Sequence, residues 1–120
     1  MANLLLHWLN DDVNLSRHIS SLDEDFRDGY MLGELLYKYN HQPNFSLFLS
    51  KNNADARINN FCLLEPSMRA LGVKFDAKLA HDVMAGKQGA TGQLLYELKM
   101  KLLRKERWAP PVSATSLDRR

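Results

Sequence analysis

The sequence predicts an all-α fold, a compact helical bundle of about four main helices joined by short connecting helices. Apolar residues recur at spacings of three and four in several stretches, the pattern of amphipathic helices. No stretch alternates apolar and polar residues for long enough to predict a strand. The 120 residues are 45% hydrophobic and 25% charged, which is typical of one soluble domain with its own core.

Two helices are predicted in the first half of the chain. The first covers about residues 3–13, and the second covers about residues 28–40 with Asp28 as its N-cap, because a carboxylate there can accept from first-turn amides. Gly29 and Gly33 lie four residues apart in the second helix, and since glycine weakens a helix, they predict a close helix crossing. The apolar residues at helical spacing in these two segments are Leu5, Trp8, Leu9, Val13, Leu32, Leu35, Leu36 and Tyr39.

Three helices are predicted in the second half. The third covers about residues 54–71; Gly72 is placed to end it, and Pro66 predicts a kink or a split into two helices. Asp76 predicts the N-cap of a short fourth helix over residues 77–84. The residues expected to point inward are Ile58, Phe61, Cys62, Leu64, Met68 and Leu71 in the third helix, and Leu94, Leu95, Leu98 and Leu102 in a fifth helix of about residues 91–107.

The sequence contains no recognisable motif for catalysis, cofactor binding or metal binding. In the connector GKQGATG the lysine follows the first glycine and no strand precedes it, unlike a phosphate-binding loop. His7, His18, His41 and His81 lack the HxxxH spacing that places two metal ligands on one helix face. The single cysteine, Cys62, is expected to be a small core residue. We therefore predict no catalytic residue, no cofactor, no metal and no small-molecule substrate; the chain is not expected to be an enzyme.

Charge is distributed unevenly along the chain. Residues 1–60 contain five Lys/Arg and eight Asp/Glu, a balance of −3, whereas residues 61–120 contain eleven and six, a balance of +5. Such polarity can steer a domain toward an acidic partner, although solvated helix faces and helix C-termini also favour exposed cations. Nucleic-acid binding is not expected, because the net charge is only +2 and no helix-turn-helix signature is present. No apolar run approaches the ~20 residues of a membrane span, so we expect no membrane contact and a cytoplasmic, cytoskeletal location.

The order of the motifs resembles the calponin-homology (CH) family. WLN is followed by DFRDGYMLGELLYKY, then INNFCLLEPSMRALGVKFD, then LLYELKMKLL. The combination of the second and third motifs resembles a branch found in central-apparatus proteins of motile cilia. The resemblance implies a CH domain over residues 1–107, followed by a Pro/Ser-containing linker or tail over residues 108–120. The pattern positions are Trp8, Phe26, Asp28, Gly29, Leu32, Asn60, Phe61, Leu71, Gly72 and Val73.

The resemblance also implies a function, a module that docks onto axonemal microtubules or central-apparatus proteins in a cilium or flagellum. Tubulin surfaces are acidic, so the expected contacts are the basic residues Lys74, Lys78, Lys87, Lys99, Lys101, Arg104 and Lys105. One alternative is a protein scaffold without tubulin contact, in which Phe45, Leu47 and Phe48 anchor the partner unless they pack onto the core. The other is actin binding by family analogy, although the usual actin-binding proteins carry two such domains in tandem.

Overall fold

The computed structural model describes residues 2–51 and 53–108, and in the last helix it describes side chains as far as Leu103. A π-helical segment (Trp8–Val13) continues the first α-helix, and a 3-10 turn (Phe45–Leu47) precedes the fourth. No strand is present among the described residues, so the predicted all-α class is confirmed. The α-helices are α1 (Ala2–His7), α2 (Leu22–Asp25), α3 (Tyr30–Lys38), α4 (Ala54–Leu71), α5 (Ala77–Met84) and α6 (Ala90–Trp108).

One apolar core holds these elements together. Helix α6 packs against α1, α2 and α5, while α3 packs against α4. Trp8 is only 2% exposed, and the other apolar residues predicted to point inward from the first, second and fifth helices are also buried, apart from the partly buried Tyr39. Burial of this apolar surface is the main favourable contribution to folding.

Two polar side chains fix the connector between the π-helical segment and α2. The side-chain amide of Asn10 donates to the Ile19 carbonyl at 2.8 Å, and its oxygen accepts from the Ile19 amide at 2.7 Å. The Glu34 carboxylate, buried on α3, accepts from the Ser16 hydroxyl at 2.8 Å and from the Ser16 amide at 2.9 Å. The side chains of Asn10 and Glu34 therefore satisfy backbone groups that the irregular connector leaves without helical partners.

Helix α3 (Tyr30–Lys38) is two residues shorter at each end than the predicted range 28–40, and its N-cap differs by one residue. Gly29, not Asp28, is the N-cap; its φ of 79° lies in the left-handed region, which glycine tolerates best. Asp28 still stabilises the start of the helix, because its carboxylate accepts a hydrogen bond from the Tyr30 amide at 3.0 Å. A Cβ on Gly29 would lie 2.9 Å from the ring of Phe61, so this glycine permits the expected close approach of α4.

Gly33 makes room for a loop residue instead of a helix. A Cβ on Gly33 would lie 2.6 Å from Cδ2 of Phe48, whose ring is 6% exposed. The prediction that this glycine marks a helix crossing is therefore wrong, because the neighbour belongs to the segment between α3 and α4. The ring of Phe48 occupies the space that a side chain on α3 would fill.

Helix α4 differs from the sequence prediction in two respects. It runs without interruption through Pro66, so the proline does not split it. Ile58 is 58% exposed and Cys62 is exposed, although both were predicted to point inward. The polar Asn60 takes a fully buried position, and it turns the buried face of the helix away from Ile58 and Cys62. The buried residues of α4 are Ala56, Asn60, Phe61, Leu64, Met68 and Leu71.

We expect the substitution Cys62→Ser to change the free energy of unfolding by no more than about 0.5 kcal/mol, as for other surface substitutions. The side chain is exposed, so the added hydroxyl remains solvated. Chemical denaturation of both proteins, with Leu64→Ala as a destabilised core control, measures the difference. A loss of about 2 kcal/mol or more from Cys62→Ser would contradict the exposed placement.

The remaining helix ends agree closely with the sequence. Gly72 ends α4 with a φ of 76°, and the Asp76 carboxylate caps α5 by accepting from the Leu79 amide at 2.9 Å. Helix α6 begins at Ala90 and reaches Trp108, one residue beyond the predicted range at each end. Residues 109–120 lie outside the described part of the chain, so the predicted tail stays a prediction.

Candidate docking surfaces

Three of the predicted basic contacts surround α5, and we name Lys74, Lys78 and Lys87 the α5 lysine group. Their side chains are 82%, 77% and 60% exposed. Each faces a carboxylate of the same domain. Lys78 Nζ lies 3.3 Å and Lys87 Nζ 3.7 Å from Oδ2 of Asp82, while Lys74 Nζ lies 3.8 Å from Oδ2 of Asp76. The group is open to solvent, and two carboxylates offset part of its three positive charges.

The shared carboxylate responds to these lysines. Desolvation is the largest single influence and raises the pKa of Asp82, but the hydrogen bond and charge of Lys78, with the charges of Lys87 and His81, bring the pKa below its usual value. A carboxyl whose pKa is lower in the folded state stabilises the fold above its unfolded pKa, so this small contribution disappears as the pH falls below about 4.

The two predicted contacts on α6 have different surroundings. Lys99 places its ammonium 5.9 Å from the ring centroid of Trp8, within the range of a cation–π interaction. Lys101 lies by the C-terminal end of α4, where a Cβ on Gly72 would be 3.7 Å from its Nζ. A helix C-terminus attracts cations. Among the described residues, neither lysine forms an ion pair with a carboxylate.

Arg104 and Lys105 lie outside the described side chains, so their predicted roles stay predictions. Much of the positive charge in the second half of the chain also lies beyond the described side chains. Residues 61–103 contain six Lys/Arg and four Asp/Glu, a balance of +2, while residues 104–120 contain five and two, a balance of +3. The described members of the predicted contact set therefore form two groups with different electrostatics.

A groove beside Lys99 includes a lysine that the sequence did not indicate. This groove, which we name the Trp8 groove, has a volume of 470 Å³ and includes Trp8, Asp12, Lys38, Tyr39 and Lys99. Lys38, in the last turn of α3, donates to the Asn14 carbonyl at 3.0 Å. Lys38 was overlooked because it belongs to the acidic half of the chain.

The three predicted apolar contacts do not form one exposed surface. Phe48 is in the core, and its ring centroid lies 5.5 Å from that of Phe45. Phe45 is partly buried and stacks on Tyr37 at 5.2 Å. The predicted alternative that these rings pack onto the core therefore describes both phenylalanines, while Leu47 is 58% exposed.

A larger groove lies between α1, α2 and α6. Its volume is 510 Å³, and its lining is mainly apolar, with Leu5, Leu6, Leu22 and Tyr96 as the principal apolar side chains. Tyr96 is 43% exposed. Apolar spacing in the sequence predicted that Leu5 is buried. It could not show that a groove remains open between α1, α2 and α6.

Two absences can be reported for residues 2–51 and 53–108. Among the described side chains, which end at Leu103, no group of three or more His, Cys, Asp or Glu is arranged to hold a metal ion. Over the same residues, no helix combines the length and the apolar character that crossing a membrane requires.

Comparison with known proteins finds relatives that share one name, sperm flagellar protein 2. The protein of Sus scrofa is 41% identical over 109 residues, that of Homo sapiens 40%, and that of Rattus norvegicus 38%. Each alignment covers 89% of this chain but only 6% of the relative. No solved structure matches the chain significantly.

The family comparison covers most of the described fold. The model for the CH-like domain in sperm protein matches residues 5–100, a range that runs from α1 into α6 and includes the core residues Trp8 and Asn60. This match agrees with the calponin-homology resemblance of the sequence motifs. The chain therefore belongs to the family of CH-like domains in sperm proteins.

Proposed function

We propose that this domain is a non-catalytic docking module, which attaches a flagellar protein to axonemal microtubules or to proteins bound to them. The family membership and the relatives named sperm flagellar protein 2 support a cytoskeletal role in a flagellum. One structural observation carries the proposal further. Lys99 and Lys101 are presented by α6 without a carboxylate partner in the described part of the chain.

The absence of an internal carboxylate partner favours α6 over α5 as the contact for an acidic filament. A lysine that already faces a carboxylate gains less from a second one, because the two carboxylates compete for the same ammonium. Lys78 and Lys87 share Asp82, whereas the half-buried Lys99 and Lys101 contact the ring of Trp8 and the C-terminal end of α4 and face no carboxylate among the described residues. In the sequence, Arg104 and Lys105 follow Lys101 by three and four residues, the spacing of one helix face, and they extend the proposed contact.

The substitutions Lys99→Gln and Lys101→Gln together are expected to weaken microtubule binding by about 2- to 30-fold, since an exposed ion pair contributes roughly 0.2–1 kcal/mol. Glutamine keeps much of the aliphatic stem and removes the charge. Co-sedimentation of the 120-residue chain with microtubules at low salt measures the dissociation constant, and raised salt should weaken binding further.

The matched control is the double substitution Lys74→Gln and Lys78→Gln, which removes the same charge from the α5 lysine group. We expect it to change binding much less, because these lysines face Asp76 and Asp82. An equal loss in the two double variants would show that only net charge matters. Failure of the unmodified chain to co-sediment at low salt would refute direct microtubule contact.

A second candidate is a scaffold that contacts a protein partner without touching tubulin. Two exposed side chains near Phe45 favour this function. Leu47 follows Phe45 by two residues and is 58% exposed, and Tyr37, whose ring stacks on that of Phe45, is 53% exposed. Leu47→Ser should leave microtubule co-sedimentation unchanged if the lysines carry it. Co-sedimentation with actin filaments tests the third, family-based alternative in the same format.

A further inference from the structure

We propose that the Trp8 groove binds an acidic peptide segment, whose carboxylates accept hydrogen bonds from Lys38 and Lys99. This inference rests on the proposed docking function and specifies the chemistry of the partner. Lys38 comes from the last turn of α3 and Lys99 from the middle of α6, so the fold brings together cations 61 positions apart in the sequence.

Each ammonium group already has one contact within the domain before a ligand arrives. Lys38 donates to the Asn14 carbonyl at 3.0 Å, and Lys99 lies over the ring of Trp8. The ring is itself fixed, because its Nε1 donates to the Tyr39 hydroxyl at 3.2 Å. Fixing a long side chain in advance reduces the entropy that binding would otherwise cost. An ammonium has three donors, so each lysine can still donate to a carboxylate.

The electrostatics of the groove favour an anionic ligand. Neither Lys38 nor Lys99 forms an ion pair with a carboxylate within the described residues, in contrast to the α5 lysine group. A ligand carboxylate would therefore gain charge-assisted hydrogen bonds without displacing an internal acid. Asp12 also lines the groove, and its charge opposes such a ligand.

The aromatic residues of the groove argue for a peptide instead of a single-stranded nucleic acid. Nucleic-acid grooves commonly use exposed aromatic rings on which bases stack. Trp8 is only 2% exposed, so its ring forms the floor and offers little stacking surface. A carboxylate side chain needs no such ring, because the two ammonium groups can donate hydrogen bonds to it.

The test uses the 120-residue chain and a fluorescein-labelled peptide of ten glutamates, with fluorescence anisotropy as the readout. Lys38→Gln and Lys99→Gln should each weaken binding by about 1.5- to 5-fold, the range that one exposed ion pair supplies. Asp12→Asn should strengthen binding by a similar factor. This gain is diagnostic, because a variant that merely damages the fold cannot bind more tightly. Lys74→Gln, matched in charge and outside the groove, should leave the affinity nearly unchanged.

Several outcomes would overturn the assignment. A peptide affinity that is unchanged by Lys38→Gln and Lys99→Gln, or that does not rise with Asp12→Asn, would show that the peptide does not bind in the Trp8 groove. Equal binding of a ten-nucleotide single-stranded DNA with the same dependence on Lys38 would replace the peptide with a nucleic acid. If the chain co-sediments with microtubules but does not bind the glutamate peptide, the groove proposal fails and the docking function stands. If the chain binds the peptide through Lys38 and Lys99 but does not co-sediment, the groove proposal stands and direct microtubule contact is refuted.

Discussion

Replacing Asn60 with alanine is expected to lower the free energy of unfolding by about 3–5 kcal/mol, because several buried polar groups lose their partners at once. The Asn60 amide donates to the carbonyls of Asp28 at 2.7 Å and of Leu49 at 2.8 Å, and its oxygen accepts from the Leu49 amide at 2.9 Å. Asn60 is fully buried. Chemical denaturation followed by circular dichroism measures the loss.

The neighbouring residue supplies a matched control for Asn60. The amide of Asn59 donates to the Leu47 carbonyl at 3.0 Å in an exposed bond, and to the Asn60 side-chain oxygen at 3.1 Å. Asn59→Ala should cost less than about 1 kcal/mol, since water replaces the exposed partner and the Asn60 oxygen keeps its bond from the Leu49 amide. Similar losses from Asn59→Ala and Asn60→Ala would show that the buried bonds of Asn60 contribute no special stability.

Replacing Phe48 with alanine is expected to cost about 3–5 kcal/mol, the range for large-to-small substitution of a buried ring. The ring is 6% exposed and fills the space above Gly33. Thermal and chemical denaturation measure the loss. Leu47→Ala, at an adjacent but 58% exposed position, should stay within about 1 kcal/mol of the unmodified chain. A near-neutral Phe48→Ala would instead leave this ring available as a partner contact.

Gly33→Ala gives a more specific test of the same contact. Alone it should destabilise the fold by about 1–3 kcal/mol, because its Cβ would overlap the Phe48 ring. In the Phe48→Ala background the overlap disappears, and the higher helix propensity of alanine should make the substitution neutral or stabilising by up to about 1 kcal/mol. Additive effects of the two substitutions would mean that the ring and the glycine do not interact.

The sequence predicted the helices well because their causes are local. Apolar spacing, the Asp76 cap and the left-handed Gly72 all act within a few residues, and the observed bounds agree with them. The buried face of α4 was predicted only in part: Phe61, Leu64, Met68 and Leu71 are buried as expected, but Ile58 and Cys62 are exposed. The reason is non-local. Asn60 is buried because it bonds Asp28 and Leu49, which are 32 and 11 residues away, and the spacing of apolar residues does not indicate such partners.

The candidate surfaces were predictable only as a set of charges. The excess of Lys and Arg in the second half identified Lys78, Lys87 and Lys99, but it could not show which of them face an acid. Lys78 and Asp82 lie four residues apart on α5, a pair that helical spacing indicates without the structure. The approach of Lys87 to the same carboxylate and the position of Lys99 and Lys38 at one groove depend on the tertiary fold. Composition therefore predicted the sign of the charge and the tertiary structure determined where it is available.

The carboxylate of Asp82 gives the α5 lysine group redundancy toward covalent modification. Acetylation removes the charge of a lysine and its capacity to form an ion pair. Because both Lys78 and Lys87 lie within 4 Å of the same oxygen, modification of either one leaves Asp82 with a cationic neighbour. The three lysines of the group and their two carboxylates, Asp76 and Asp82, carry a net charge of +1; the first acetyl group makes this net charge zero, and the second makes it −1.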